Sequence, residues 1–135
     1  MKFLCAAGIL VDRVYLTLIP LLCFLSIECA FAFDLELAQQ SYTKCVVCHS
    51  LDEGKHGVGP SLHGLNERKA GEVEGFKFSK ALRTSGILWN KETLDAYLLN
   101  PQKSIPRNRM AFGGLKNDEE RQALVCYLLG KSACE

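Results

Sequence analysis

Hydrophobic and polar positions divide the chain into two parts. Residues 14–27 carry no charge, whereas Lys2 and Arg13 precede them and Glu28 follows. Further along, apolar residues recur every three to four positions, as they do on one face of a helix. Long glycine-rich stretches separate these segments, and no alternating strand pattern occurs between them. The pattern predicts a short apolar leader followed by an all-α domain.

The leader has the features of a secretory signal peptide. It combines a basic start, a short apolar run and a small-x-small pair at Ala30 and Ala32. The run is shorter than the roughly 20 residues that a spanning helix needs. We therefore expect a signal peptide over residues 1–32 and one domain over residues 33–135, exported to the periplasm. An uncleaved membrane anchor is the alternative.

Helix-capping residues mark where several helices begin. Apolar spacing predicts a first helix over residues 34–47. Asn90 and Asn100 each precede a helical segment, and Pro101 fits a first helical turn. Asn117 with Glu120 three residues later is a capping-box pattern. The last helix is expected to stop at Gly130.

Composition limits the function. The chain has 135 residues, enough for one domain, and a formal net charge of +1. The signal peptide contains two basic and two acidic residues, so the mature charge is unchanged. A nucleic-acid-binding domain usually carries a strongly basic face, and such a partner is not expected. Residues 50–78 are a long loop, which is unusual in a small domain unless a bound group fills its centre.

The strongest chemical signal is the C-x-x-C-H sequence from Cys45 through Cys48 to His49. This spacing is typical of c-type haem attachment. Two thiols three residues apart can each add to a haem vinyl group, which places the next residue, His49, to bind iron. A zinc site that combines Cys45 and Cys48 with a histidine is an alternative, but the histidine spacing matches no common finger.

The second iron ligand follows from elimination. The chain has two methionines, and Met1 is removed with the signal peptide, which leaves Met110 as the available thioether. Proline and glycine residues flank Met110, as suits a fixed irregular loop. His63 remains a weaker alternative, and His56 is interpreted as a loop histidine that forms hydrogen bonds.

Taken together, these motifs resemble the class I c-type cytochromes of the mitochondrial type and their soluble bacterial relatives. The resemblance covers residues 34–131 and includes the segments 59–65 (GPSLHGL), 92–101 (ETLDAYLLNP) and 110–114 (MAFGG). It implies the small all-α cytochrome c fold, with three to five helices and long loops wrapped around one haem c attached through Cys45 and Cys48. Contact between the terminal helices is implied at four positions: Ala38, Tyr42, Leu124 and Tyr127.

The resemblance also implies roles around the haem. The Pro60 carbonyl would accept the His49 N–H, Arg68 and Trp89 would face the propionates, and Tyr97 would point at the Met110 sulfur. Three positions depart from the family pattern. Phe78 replaces a propionate-binding tyrosine, Leu82 replaces an asparagine near a buried water, and Asn108 replaces a hydroxyl residue before the methionine.

The implied function is one-electron transfer without substrate turnover, in a monomer with no stable membrane insertion. Family members dock on redox partners through a basic haem edge, so a cytochrome bc complex, a terminal oxidase or a reaction centre would be the partner. The corresponding cations here are Lys44, Lys103, Arg107, Arg109 and Lys116. A peroxidase-like enzyme is the alternative if Met110 does not stay bound. With His and Met ligation, the midpoint potential is expected to be positive.

The seven cysteines divide by position. Three are removed with the signal peptide and two belong to the C-x-x-C-H motif, which leaves Cys126 and Cys134. Eight residues apart on one helix, they would be about 12 Å apart, beyond the ~7 Å limit of a disulfide. If the helix ends at Gly130, the tail can fold back. We therefore expect a Cys126–Cys134 disulfide.

Overall fold

Helices form where the sequence supplies a capping residue ahead of an apolar stripe. The structure, a computed structural model, describes residues 35–130. Within that range the regular structure is helical, apart from an isolated antiparallel bridge between Lys69 and Leu88. Five helices are described: α1 (35–42), α2 (Lys80–Arg83), α3 (Lys91–Leu99), α4 (Pro101–Ser104) and α5 (Asp118–Leu129). The expected all-α class is confirmed.

The three predicted N-caps are confirmed. The Asn90 side chain accepts from the Thr93 N–H at 2.9 Å, and the Thr93 hydroxyl accepts from the Asn90 N–H at 3.0 Å, which completes a capping box at α3. Asn100 caps α4 and Asn117 caps α5, each by accepting one backbone N–H with its side chain. These contacts satisfy N–H groups that have no partner within the helix.

Two helical predictions differ from the structure, and one short helix was not predicted. The first helix ends at residue 42 and continues as turns through residue 48. The four-residue α2, capped by Ser79, was not predicted because so short an element shows no periodicity. The Asn117 side chain accepts from the Glu120 N–H, but the Glu120 carboxylate pairs with Lys44 at 2.7 Å. The reciprocal bond of a capping box is therefore replaced by a link between the segment after α1 and α5.

The core lies where α3 packs against α4 and α5. The leucine side chains of α3 and α5 that meet there are almost fully buried, with Leu94 4% and Leu124 1% exposed. Ala38 of α1 is 2% exposed, and the rings of Tyr42 and Tyr127 lie 5.8 Å apart. The predicted contact between the terminal helices is confirmed at this ring pair.

A buried arginine fixes α5 against α3. The Arg121 side chain is 6% exposed and donates to Asp95 at 2.7 Å, to Asp118 at 2.8 Å and to the Leu115 carbonyl at 3.1 Å. The hydrogen bond that Arg121 donates to Asp95 raises the pKa of Arg121 further above its ordinary value. The contact with Leu115 connects this network to the loop that follows Met110.

Two sequence predictions lie outside the described residues. The signal peptide over residues 1–32 is one of them. Cys126 of α5 is disulfide-bonded, but Cys134 is not described, so the Cys126–Cys134 pairing stays a prediction. None of the described helices is long and apolar enough to cross a membrane.

Candidate functional site

A mostly apolar cavity of about 440 Å³ opens between α3 and the long loops. Its volume lies within the range of small-molecule and cofactor sites. All eight residues predicted from the sequence to contact a cofactor line this one cavity: Cys45, Cys48, His49, Pro60, Arg68, Trp89, Tyr97 and Met110. Their positions span 66 residues of sequence, from the turn after α1 to the loop before α5.

Tight turns after α1 present the two thiols to the cavity. The Cys45 N–H donates to the Tyr42 carbonyl at 2.8 Å, and the His49 N–H donates to the Cys45 carbonyl at 2.9 Å. This winding brings Cys45, Cys48 and His49 to one side of the chain. Both thiols are free, and burial raises the pKa of Cys45.

The His49 ring is oriented by one hydrogen bond. Its Nδ1 lies 2.7 Å from the carbonyl oxygen of Pro60. Because a carbonyl can only accept, Nδ1 carries the proton, and in the neutral imidazole Nε2 is then the nitrogen with the lone pair. Such a bond fixes both the tautomer and the ring direction of a metal-binding histidine. The expected Pro60 contact is therefore present in the structure.

Gly59 makes this ring position accessible, a role that the sequence did not reveal. Its N–H donates to the Cys48 carbonyl at 2.9 Å. A Cβ at this position would stand 2.7 Å from both ring nitrogens of His49, far inside ordinary contact distance. The backbone of residue 59 therefore packs directly against the imidazole, and only glycine leaves the necessary space.

Met110 lies on the irregular loop between α4 and α5 and is half-buried at the cavity wall. His63, the weaker ligand candidate, is exposed and does not line the cavity. His56 forms hydrogen bonds as interpreted from the sequence. Its Nε2–H donates to the Glu74 carbonyl at 2.9 Å, and its Nδ1 accepts from the Ser61 N–H at 3.0 Å.

The cavity is lined by an arginine that has no carboxylate partner within residues 35–130. Arg68 donates to the carbonyls of His63 at 2.6 Å and Ser61 at 3.1 Å, and within residues 35–130 no carboxylate pairs with it. Burial lowers the pKa of Arg68, but a guanidinium stays protonated in proteins. A half-buried cation that lines a cavity is suited to an anionic group inside it.

Two aromatic rings complete the wall. Trp89 and Tyr97 are both buried, with ring centroids 5.0 Å apart. Burial raises the pKa of Tyr97 to about 12, so its phenol is neutral at physiological pH. Two of the three residues that depart from the family pattern contribute apolar side chains to the cavity. Phe78 and Leu82 line the cavity, and Phe78 meets Phe76 edge to face at 4.9 Å.

This donor set fits a covalently attached haem. The cavity presents two free thiols at the required spacing, an imidazole nitrogen with an unused lone pair, a thioether and an unpaired cation. The zinc alternative lacks a ligand set, because no group of three or more His, Cys, Asp or Glu side chains could hold a metal ion in the described part of the chain. Fold and site together define a c-type cytochrome.

Comparison with known proteins agrees with this class. The family model described as cytochrome c matches residues 35–132, and the chain belongs to the cytochrome c family. It is 52% identical to cytochrome c of Stellaria longipes over 64% of this chain and 81% of the relative. It is 48% identical to cytochrome c2 iso-2 of Magnetospirillum molischianum over 67% of this chain and 94% of the relative.

A solved structure gives the same result for the fold. Cytochrome cH from Methylobacterium extorquens superposes with a TM-score of 0.65 at 34% identity, over 69% of this chain and 94% of that protein. The chain is therefore an electron carrier that binds haem c covalently through Cys45 and Cys48.

Proposed function

We propose that this chain is a soluble, exported one-electron carrier in which His49 and Met110 are the two axial iron ligands. The observation that supports this most directly is the shared cavity. Free Cys45 and Cys48, His49 and Met110 all line it. Bound haem c supplies a one-electron couple between ferric and ferrous iron.

The chain's own residues would keep that couple in place. Pro60 and Gly59 hold the His49 ring in one orientation, which strengthens the imidazole as a donor. A thioether at the sixth position favours the ferrous state and raises the midpoint potential. With both axial positions filled from the chain, no site remains for a substrate, so we propose that the protein is not an enzyme.

Arg68 and Trp89 are proposed to face the haem propionates. The guanidinium of Arg68 is already oriented by two carbonyl oxygens and has no carboxylate partner within residues 35–130. It can therefore pair with an anion without breaking an existing ion pair. Phe78 and Leu82 themselves offer no hydrogen-bond donor to the cavity, so Arg68 and Trp89 would supply more of the polar contact.

We also propose that the carrier is a monomer that docks on membrane redox complexes through its basic side chains. The electron partners would be a cytochrome bc complex and a terminal oxidase or reaction centre. Lys103 and Arg107 are exposed next to the Met110 loop. Arg109 donates to the Lys77 carbonyl and Lys116 to the Leu99 carbonyl, so both keep their charge in fixed positions.

Lys44 differs from the other candidates because it pairs with Glu120 at 2.7 Å. That pairing cancels much of its field, so Lys44 should steer a partner less than Lys103 does. Since the net charge is only +1, steering would depend on how the charges are distributed. Such steering speeds encounter and weakens with salt.

An optical redox titration of the purified holoprotein tests the ligand assignment. We expect a positive midpoint potential and the far-red sulfur–iron absorption band in the ferric protein. Met110→Ala should abolish the band and lower the potential, whereas Ala111→Gly, at the next position in the same loop, should keep both. A negative midpoint in the wild-type protein, or cyanide binding at rates typical of five-coordinate haem, would instead support the peroxidase-like alternative.

Docking and export need separate measurements. Lys103→Glu should slow electron transfer to an isolated cytochrome bc complex at low salt, and Lys91→Glu at the start of α3 is the matched control. Rates that do not depend on ionic strength would contradict the docking proposal.

The intact mass of periplasmic holoprotein should correspond to residues 33–135 plus one haem, and a mass that includes residues 1–32 would indicate an uncleaved anchor.

A further inference from the structure

A buried asparagine forms hydrogen bonds with the backbone of Met110 and of the segment before it. Asn108 is 6% exposed, although it lies in a loop without regular structure. Its Nδ2 donates to the carbonyls of Pro101 and Ile105, both at 2.8 Å. Its Oδ1 accepts from the Met110 N–H, also at 2.8 Å. One side chain thereby joins the start of α4, the end of α4 and the residue proposed to bind iron.

The amide is fully matched to its surroundings. A primary amide has two N–H donors and one carbonyl acceptor, and Asn108 uses both protons and the oxygen within the loop. In the flipped orientation, the oxygen would face two carbonyls and the NH₂ group would face an N–H. The hydrogen bonds therefore fix one orientation, and none of these groups is left unsatisfied when the loop closes.

Gln102 adds a second attachment from outside. Its Nε2 donates to the carbonyl of Asn108 at 3.2 Å and, more weakly, to that of Met110 at 3.5 Å. Asn108 thus holds the N–H of Met110 while Gln102 approaches its carbonyl. Gln102 belongs to α4, and Asn108 is bonded to Pro101 at the start of α4 and to Ile105 at its end. Helix α4 itself packs against α3 in the core.

The preceding residue shows that the chain is bent against its preference at this point. Arg107 has φ of 66°, in the left-handed region that residues other than glycine rarely adopt. Such a conformation persists only where surrounding contacts outweigh its cost. The turn that contains Arg107 is closed by the Asn108 N–H, which donates to the Ile105 carbonyl at 3.2 Å, and the side-chain bonds of Asn108 lie directly after it.

We propose that Asn108 is a positioning residue that keeps Met110 within reach of the iron and sets how readily Met110 leaves it. This inference rests on the proposed assignment of Met110 as an axial ligand. The Met110 N–H has Asn108 Oδ1 as its acceptor, and any release of Met110 that moves its backbone away from Asn108 would break that bond. The bonds therefore stabilise the ligand-bound loop more than the released loop, which is the condition for affecting the equilibrium.

The test is displacement of Met110 by imidazole in the ferric holoprotein. An imidazole nitrogen replaces the Met110 sulfur at iron, so one Fe–S bond breaks, one Fe–N bond forms and no electron is transferred. In Asn108→Ala we expect imidazole to bind about tenfold more tightly, the equivalent of about 1.4 kcal/mol. Loss of the far-red sulfur–iron band reports the displacement directly.

Two further variants make the result specific. Asn108→Asp keeps the acceptor for the Met110 N–H but turns a carboxylate oxygen toward the carbonyls of Pro101 and Ile105, so it should weaken the hold on Met110. Asn108→Thr keeps a smaller donor and acceptor, so its affinity for imidazole should lie between those of the wild type and Asn108→Ala. If Asn108→Ala fails to fold, the test uses the other variants: imidazole affinity should increase from wild type through Asn108→Thr to Asn108→Asp.

Asn90→Ala is the matched control. It removes an asparagine whose side chain caps α3 by accepting two hydrogen bonds from Thr93, against three bonds for the Asn108 side chain, and it does not bond to the Met110 loop. It should lower global stability and leave imidazole affinity unchanged. Equal shifts in Asn90→Ala and Asn108→Ala, or no shift in any Asn108 variant, would overturn the inference. A wild-type protein without the sulfur–iron band would instead refute the ligand assignment itself.

Discussion

Gly59→Ala is the sharpest test of how the His49 side of the site is built. The added Cβ would stand 2.7 Å from Nδ1 and Nε2 of His49, whereas carbon atoms pack best at about 3.5–4.0 Å. Residue 59 has little freedom to retreat, because its N–H is bonded to the Cys48 carbonyl at 2.9 Å. The imidazole must therefore move by about 0.8 Å or more.

The expected cost follows from two contributions. Forcing a methyl group into a packed site costs about 1–3 kcal/mol. Moving the ring also breaks or lengthens the 2.7 Å bond between His49 and Pro60, which contributes about 1 kcal/mol. We therefore expect Gly59→Ala to lower the free energy of unfolding by about 2–4 kcal/mol. Loss of this bond also makes the imidazole a weaker donor, so the midpoint potential should rise.

Urea unfolding of the holoprotein measures the stability change, and a redox titration of the same sample measures the potential. Gly113→Ala is the control, because Gly113 lies in the Met110 loop but a Cβ there would meet nothing within 4 Å. It should change stability by less than about 0.5 kcal/mol. If Gly59→Ala were as stable as Gly113→Ala, the close support of the His49 ring would be wrong.

Three further changes probe other parts of the molecule. Burial raises the pKa of Tyr97 from 10.0 to about 12, so its phenol keeps its proton in the folded state after the unfolded chain has lost it. The free energy of unfolding should therefore fall by about 3 kcal/mol as pH rises from 10 to 12. Urea unfolding of Tyr97→Phe should show a flatter pH profile than that of Tyr127→Phe. Glu67 has φ of 56°, so Glu67→Gly should raise the free energy of unfolding by about 1 kcal/mol in urea titrations, and a loss of stability would show that its left-handed backbone is not strained. Arg121→Ala leaves Asp95 and the Leu115 carbonyl without their buried donor, so chemical denaturation should show a loss of about 2–3 kcal/mol, with Lys91→Ala as an exposed control that stays near wild type.

Features that depend on neighbouring residues could be predicted from the sequence. Asn90, Asn100 and Asn117 cap helices because each side chain reaches a backbone N–H only three residues away. The C-x-x-C-H motif is equally local, since one tight turn brings its thiols and its imidazole to the same side. Such chemistry is fully contained in a few consecutive letters.

Features that join distant segments were missed or only partly anticipated. Lys44 was interpreted as a docking cation, yet it pairs with Glu120, 76 residues further along the chain. Asn108 was noted only as a departure from the family pattern, and nothing in its local sequence shows that its amide reaches back to Pro101. The close approach of Gly59 to His49 likewise depends on how a ten-residue loop folds back. These contacts are set by tertiary packing, and tertiary packing leaves no periodic pattern in the sequence from which they could be predicted.

The two proposed ligands are supported by different physical means, and this difference suggests which one is released more readily. His49 follows Cys48 directly, so a thioether bond to the haem at Cys48 would tether it covalently, and the Pro60 carbonyl fixes its ring. Met110 has no covalent tether. Its N–H donates to Asn108 Oδ1 and its carbonyl accepts from Gln102. Arg107, three residues before it, has a left-handed backbone conformation. Hydrogen bonds of this kind each contribute about 1 kcal/mol net, so a few of them can keep the loop closed and still allow it to open. The Met110 side is therefore where single substitutions should change ligation, whereas changes near His49 should mainly alter potential and stability.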